Sequence, residues 1–101
     1  MEKQVFQKVY QVVKKIPAGK VMTYGLVANE LKIDARIVGW ALHANKSNEV
    51  PCHRVVDRNG RLAPNFAFDG AKEQKRRLEV EGVVFKDEMY VDLEMSLWTE
   101  Y

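Results

Sequence analysis

Cysteine is almost missing from this 101-residue chain, which carries a single one, Cys52. No internal disulfide can form, so a secreted, disulfide-stapled scaffold is excluded, and the chain reads as cytoplasmic or nucleoid-associated. Histidine is also scarce, with two residues. One Cys and two His do not fill the four N/S positions of a structural zinc site, so no metal is expected. There is no run of 18 apolar residues, hence no membrane-spanning helix and no membrane partner. Met1-Glu2-Lys3-Gln4 leads straight into an amphipathic pattern and lacks the apolar core of a signal peptide. Three Pro and six Gly are too few for a linker or a low-complexity tract, and no repeat is visible. Charge of one sign is lacking too: 16 basic against 14 acidic residues give a net +2. That balance permits nucleic-acid binding without arguing for it. What is present is ordinary globular material, 47% hydrophobic and 30% charged, which argues against disorder. Residues 1–101 form one small domain, able to bury roughly two thirds of its unfolded surface.

Apolar groups at Val5, Val9, Val12, Val13 and Ile16 form the stripe of a surface helix over residues 4–16, which Pro17-Ala18-Gly19 stops. Thr23 is a good N-cap for a second helix reaching about Lys32, and Asp34 for a third over residues 35–44. The inner face of the third is Ile37, Val38, Ala41 and Leu42. Two short helices joined by a tight turn, after a longer one, make a helix-turn-helix. Arg36, Trp40 and His43, at i, i+4 and i+7, share the polar side of the third helix. That side is either a solvated face with a stray Trp or a recognition surface for nucleic acid. Further on, Asp57-Arg58-Asn59-Gly60 is a turn, residues 61–70 a loop, and Ala71 to about Glu81 a fourth helix capped by Gly82. Residues Val83 to Leu93 suit a small hairpin, and Leu93, Leu97 and Trp98 are expected to pack back on the core. The fold class is therefore mainly α with a small β hairpin and winged helix-turn-helix-like, a form in which DNA-binding domains occur.

Cys52-His53 carries the chemistry. A lone cysteine is commonly a small buried hydrophobe. Beside a His it can also ligate a metal, or be an activated thiol whose proton the imidazole takes directly or through water, with Arg54 adding positive charge. Pro51 fixes the approach to the sulfur. Local composition leaves these readings open.

Pro51-Cys52-His53-Arg54-Val55 is identical to the active-site motif of the O6-alkylguanine-DNA alkyltransferases, the methylated-DNA–protein-cysteine methyltransferases. Gly19-Lys20-Val21 with Thr23-Tyr24-Gly25 resembles that family's entry to its helix-turn-helix. Ala35-Arg36-Ile37-Val38-Gly39 resembles the start of its recognition helix. Asn45 lies where the family keeps a hinge asparagine, and Leu78 through Glu81-Gly82 resembles its late helix. Order and spacing agree over about residues 4–85. The resemblance implies binding of double-stranded DNA through the minor groove, flipping of an O6-alkylguanine, and single-turnover transfer of the alkyl group to Cys52 without a cofactor. It implies a Cys52–water–His53–Glu81 relay, Tyr24 hydrogen-bonding the departing guanine, and Arg36 replacing the flipped base in the stack. Arg36, Gly39, Trp40, Asn45 and Arg54 become the expected DNA-side residues. Val55, whose carbonyl would read the guanine amino group, joins Asn65 and Phe66 as expected pocket walls. A monomer is expected.

Three departures qualify this. The family's N-terminal domain is expected to be absent, as in the alkyltransferase-like proteins, which bind alkylated DNA without repairing it and flag it to excision-repair proteins; those proteins, however, replace the cysteine. The family's Tyr-Ser-Gly-Gly-type loop is replaced by residues 62–70, which bring Phe66 and Phe68. Trp40 follows Gly39 where many relatives carry a small residue. The readings are therefore an alkyltransferase, a non-enzymatic sensor of alkylated DNA, and, more distantly, a plain helix-turn-helix regulator.

Overall fold

A computed structural model describes residues 2–63 and 70–100. The first helix, α1, spans Glu2–Lys14. Val9, Val12, Val13 and Ile16 are buried along one side, as the stripe predicts. Regular helix ends two residues before the expected stop. The N–H groups of Lys15 and Ile16 turn back to the carbonyls of Val12 and Val13, each at 3.1 Å, a tightening common at helix ends.

Helices α2 (Tyr24–Leu31) and α3 (Ala35–Ala44) form the helix-turn-helix, and both expected caps are in place. Thr23 Oγ1 accepts the Leu26 N–H at 3.1 Å, and Asp34 Oδ1 accepts the Arg36 N–H at 2.8 Å. The turn between them is made by Lys32 in the left-handed region, φ 58°. Its N–H bonds the Asn29 carbonyl and that of Ile33 bonds the Ala28 carbonyl, closing α2.

Strand β1, Met22–Thr23, pairs in parallel with β2, Val55–Val56, with Met22 opposite Val55 and Thr23 opposite Val56. All four residues are buried. The chain end adds to this ribbon: Val21 donates to the Ser96 carbonyl at 2.9 Å and accepts from the Trp98 N–H at 2.8 Å. The hairpin expected over Val83 to Leu93 is present as an antiparallel bridge between Phe85 and Val91, with Lys86 N–H on the Tyr90 carbonyl at 3.0 Å. Its arms are too short for regular strands. The two-stranded sheet of this fold is the parallel β1–β2 pair, which the sequence pattern did not predict.

Helix α4 runs Gly70–Val80. It closes with the Gly82 N–H on the Glu79 carbonyl and the Val83 N–H on the Leu78 carbonyl, so Gly82 is the expected cap. A last short helix, α5, covers Leu93–Ser96. The core has two parts. Val9, Val13, Ile16, Met22, Val38, Ala41 and Cys52 pack where α1, α2 and α3 meet, with Trp98 against them. Val21, Val56, Leu62, Leu78, Val83 and Val91 form the second part, with Leu93 against it. Gly60 joins the halves of this second layer. A Cβ there would lie 2.5 Å from the Val91 carbonyl oxygen, and φ is +87°, so only glycine fits.

Candidate active site

Residues 50–56 cross the seam between the two core layers. Pro51 has φ −77° and ψ 66°, and the Cys52 N–H reaches the Val50 carbonyl at 2.7 Å. This is an inverse γ-turn on a residue whose ring already sets φ. Cys52–Arg54 then make one 3-10 turn, and Val55 enters β2. The rigid turn expected from Pro51 is thus present.

Cys52 is only 5% exposed. Asn45, the residue that ends α3, donates Nδ2–H to the Cys52 sulfur at 3.2 Å and to the Ser47 carbonyl at 2.9 Å. Its Oδ1 accepts the Ser47 N–H at 3.2 Å. Asn45 therefore ties the end of α3 to the thiol. It was expected on the DNA side, but it is 5% exposed and its polar atoms face inward. Burial pushes the Cys52 thiol above its ordinary pKa; the Asn45 hydrogen bond, a backbone hydrogen bond and the Arg77 charge pull the other way without overcoming it. The thiol stands protonated at neutral pH. This corrects the expectation of a thiol made more acidic in advance by the His53 imidazole with Arg54 adding charge: the cation acting on the sulfur is Arg77 of α4.

His53 places Nε2 2.9 Å from Glu81 Oε2. Burial alone would raise the Glu81 carboxyl, but hydrogen bonds from Arg54 and His53 and their charges hold it down at about 2. An ionised carboxylate only accepts, so Nε2 carries the proton and Nδ1 of the neutral ring is the basic nitrogen. Burial pushes the His53 pKa down, partly offset by Glu81, and the Arg54 and Arg77 charges push it down further. The imidazole is neutral at pH 7 and able to accept a proton.

Arg54 has a different task from the one expected. Its Nε donates to Glu81 Oε1 at 3.0 Å, its Nη2 to Oε2 at 2.6 Å, and its Nη1 to the Ile16 carbonyl at 2.7 Å. These bonds turn the guanidinium inward, as a bracket between the end of α1 and the turn after α4. Gly19 completes the cluster, with its N–H 3.4 Å from Glu81 Oε1. A Cβ there would stand 3.2 Å from the Glu81 backbone oxygen, at φ +89°.

Gln74 escaped the sequence reading. It is fully buried on α4. Its Nε2 donates to the carbonyls of Val55 at 3.0 Å and His53 at 3.2 Å, and its Oε1 accepts the Ala63 N–H at 2.7 Å. The Val55 carbonyl, expected to read a guanine amino group, thus already accepts one bond. Tyr24, first residue of α2, is half-buried; burial raises its hydroxyl pKa, and the nearby Cys52 and Asp57 add to the rise. Tyr10, packed against the same core, donates its hydroxyl to the Ala41 carbonyl at 2.6 Å.

Arg36, Trp40 and His43 lie exposed on α3, with Trp40 at 61%. A Cβ at Gly39 would meet nothing within 4 Å among the described residues, so none of them requires this face to be small. Asn65, Phe66 and Phe68 lie outside the described residues.

A helix-turn-helix carrying an exposed Arg–Trp face, joined through Asn45 to the buried Cys52, with the part-buried His53–Glu81 pair following it, defines a DNA-binding domain with a thiol built into it. The chain matches the family described as 6-O-methylguanine DNA methyltransferase, DNA binding domain, over residues 4–83, and it belongs to that family. It is 41% identical over 83 residues to alkyltransferase-like protein 1 of Schizosaccharomyces pombe, covering 79% of this chain and 77% of that one. It is 43% identical over 76 residues to the methylated-DNA–protein-cysteine methyltransferase of Saccharolobus islandicus. That match covers 74% of this chain but only 48% of the methyltransferase, so the chain spans about half the length of such relatives. Among solved structures, S. pombe Atl1 in complex with damaged DNA containing O6-carboxymethylguanine is similar over 96% of both chains, with TM-score 0.85 and 35% identity. The Mycobacterium tuberculosis O6-methylguanine methyltransferase is similar over 76% of this chain and 47% of its own, with TM-score 0.67 and 32% identity.

Proposed function

We propose that this chain binds duplex DNA at an O6-alkylguanine and accepts the alkyl group on Cys52, once per molecule. The observation that carries the reading is the Nε2–Glu81 bond of His53, which leaves Nδ1 as the basic nitrogen of a neutral imidazole on the residue that follows Cys52. Arg36 on α3 would fill the space of the flipped guanine. His53 Nδ1 takes the thiol proton through one water as the base docks, so the thiolate forms when the substrate is present. Sulfur attacks the alkyl carbon, the bond from that carbon to guanine O6 breaks, and the electron pair leaves on the base, which the Tyr24 hydroxyl stabilises. The thioether is stable, so turnover ends there. No cofactor takes part in this scheme.

A second reading is a sensor that binds the lesion without transfer and hands it to excision-repair proteins. The similarity to Atl1 over nearly the whole of both chains supports it, as does the burial that keeps Cys52 protonated. Intact-protein mass spectrometry after incubation with O6-methylguanine duplex separates the two. Added mass of one methyl on Cys52, absent in Cys52→Ser, is the expected result. Tight lesion binding with unchanged mass would establish the sensor instead, and no preference for the lesion would overturn both.

A further inference from the structure

The Asp34 carboxylate does two things at once. Its Oδ1 caps α3 through the Arg36 N–H at 2.8 Å and also accepts Arg36 Nε at 3.3 Å, while its Oδ2 accepts Arg36 Nη2 at 3.1 Å. The guanidinium is therefore folded back on the N-terminus of its own helix in a two-bonded fork. Both partners are open to solvent, the side chains being 78% exposed for Arg36 and 48% for Asp34. The fork lies on the face that also carries Trp40. An arginine that acts by entering a base stack must first leave this fork.

We infer that Asp34 is a specificity-determining latch, which parks Arg36 on the helix cap and keeps its charge from undamaged duplex. The inference rests on the reading of α3 as the face that meets alkylated DNA. While the fork is closed, the pair presents no net charge to the phosphates. On an intact, well-stacked duplex, Arg36 has no vacated position to enter, and opening the fork would leave Asp34 facing phosphate oxygens. At a lesion whose base has left the stack, the guanidinium gains a site that offsets the lost fork. Asp34 thus suppresses binding where there is nothing to repair or report.

Asn caps a helix as well as Asp does, so Asp34→Asn keeps the fold and removes the fork's charge. The test is fluorescence anisotropy of the full chain on an undamaged duplex and on the same duplex with one O6-methylguanine, across a range of salt concentrations. Asp34→Asn is expected to tighten binding to undamaged duplex by roughly three- to fivefold. It should also steepen the salt dependence by about one released counterion. In an Arg36→Ala background the same change should do markedly less, because the coupling runs through the guanidinium. An equal gain with and without Arg36 would show bare charge repulsion and overturn the latch; so would no gain at all. The underlying reading fails separately: a wild-type chain with equal affinity for both duplexes, unaffected by Arg36→Ala, would remove α3 from lesion recognition whatever Asp34 does.

Discussion

The side-chain amide of Asn45 points Nδ2 at the Cys52 sulfur from 3.2 Å, so the residue that caps α3 holds the thiol at the centre of the site. An N–H donor on sulfur favours the thiolate, yet burial outweighs it and the Cys52 pKa lies above its ordinary value. The rate of alkylation by iodoacetamide should therefore rise at a higher pH in the folded chain than in the urea-unfolded one. Asn45→Ala should move that midpoint higher still. An unchanged midpoint in a variant with native circular dichroism would mean that the amide does not act on the sulfur.

Glu81 gives the fold an acid-labile joint. Its carboxyl is held at about 2 with its side chain 15% exposed, so the charged form is favoured in the folded state. That stability is fully present above the ordinary carboxylate pKa and is lost as pH falls from about 5 toward 2, on the order of 3 kcal/mol. His53 adds in the same direction. Its folded pKa is depressed, so the unfolded chain takes up the proton first as pH drops through the ordinary histidine value. Urea unfolding at pH 7, 5 and 3 should show this loss, and Glu81→Gln should flatten the lower part. Glu73 is also held at about 2, chiefly by its hydrogen bond from Arg76, but that partner is 64% exposed, where Arg54 is 18%. Glu73→Gln should therefore leave most of the slope intact.

Lys32 closes the turn between α2 and α3 at φ 58°, where a Cβ is crowded and glycine is not. Lys32→Gly should stabilise the chain by about 0.5–1 kcal/mol, after allowing for the added freedom of the unfolded chain. Lys32→Ala should give no such gain. A fall in the urea midpoint for Lys32→Gly would mean that the lysine side chain contributes more than the backbone costs.

What could be read in advance was local. Thr23, Asp34 and Gly82 act on backbone groups within a few residues, so their chemistry is visible in a short window. The run from Pro51 to Val55 carried its own turn. By contrast, β1 and β2 have two residues each and lie more than thirty positions apart, too short for any periodicity. Arg54 was expected to face the thiol and DNA because Glu81, its partner, is 27 residues away. The direction of the Cys52 pKa depends on burial, which adjacent charges do not reveal. Gln74 was hidden within the charge run of α4, where Lys72, Lys75 and Arg76 suggest a solvated face. The one clue was the helical spacing of Gln74 to Leu78, which puts both on the buried side.

Gln74 is the residue on which the two halves of the site depend. Its amide satisfies the carbonyls of His53 and Val55 and the Ala63 N–H in a fully buried position. Gln74→Met keeps the volume and leaves three backbone groups without this partner, a loss of about 2–4 kcal/mol. Gln74→Glu makes a sharper test. The carboxylate could still accept from Ala63, but its second oxygen would face two carbonyl oxygens, so only the protonated form can take the place of the amide. Burial and those carbonyls should raise that carboxyl's pKa above the ordinary value, so its penalty relative to wild type should be greatest at neutral pH and shrink as pH falls. The measurement is the difference in unfolding free energy between Gln74→Glu and wild type at pH 7 and pH 5, with Gln74→Met as the uncharged control. A difference that stays constant with pH, matching the Met variant, would mean that the Gln74 amide fills space without bonding the His53–Val55 turn.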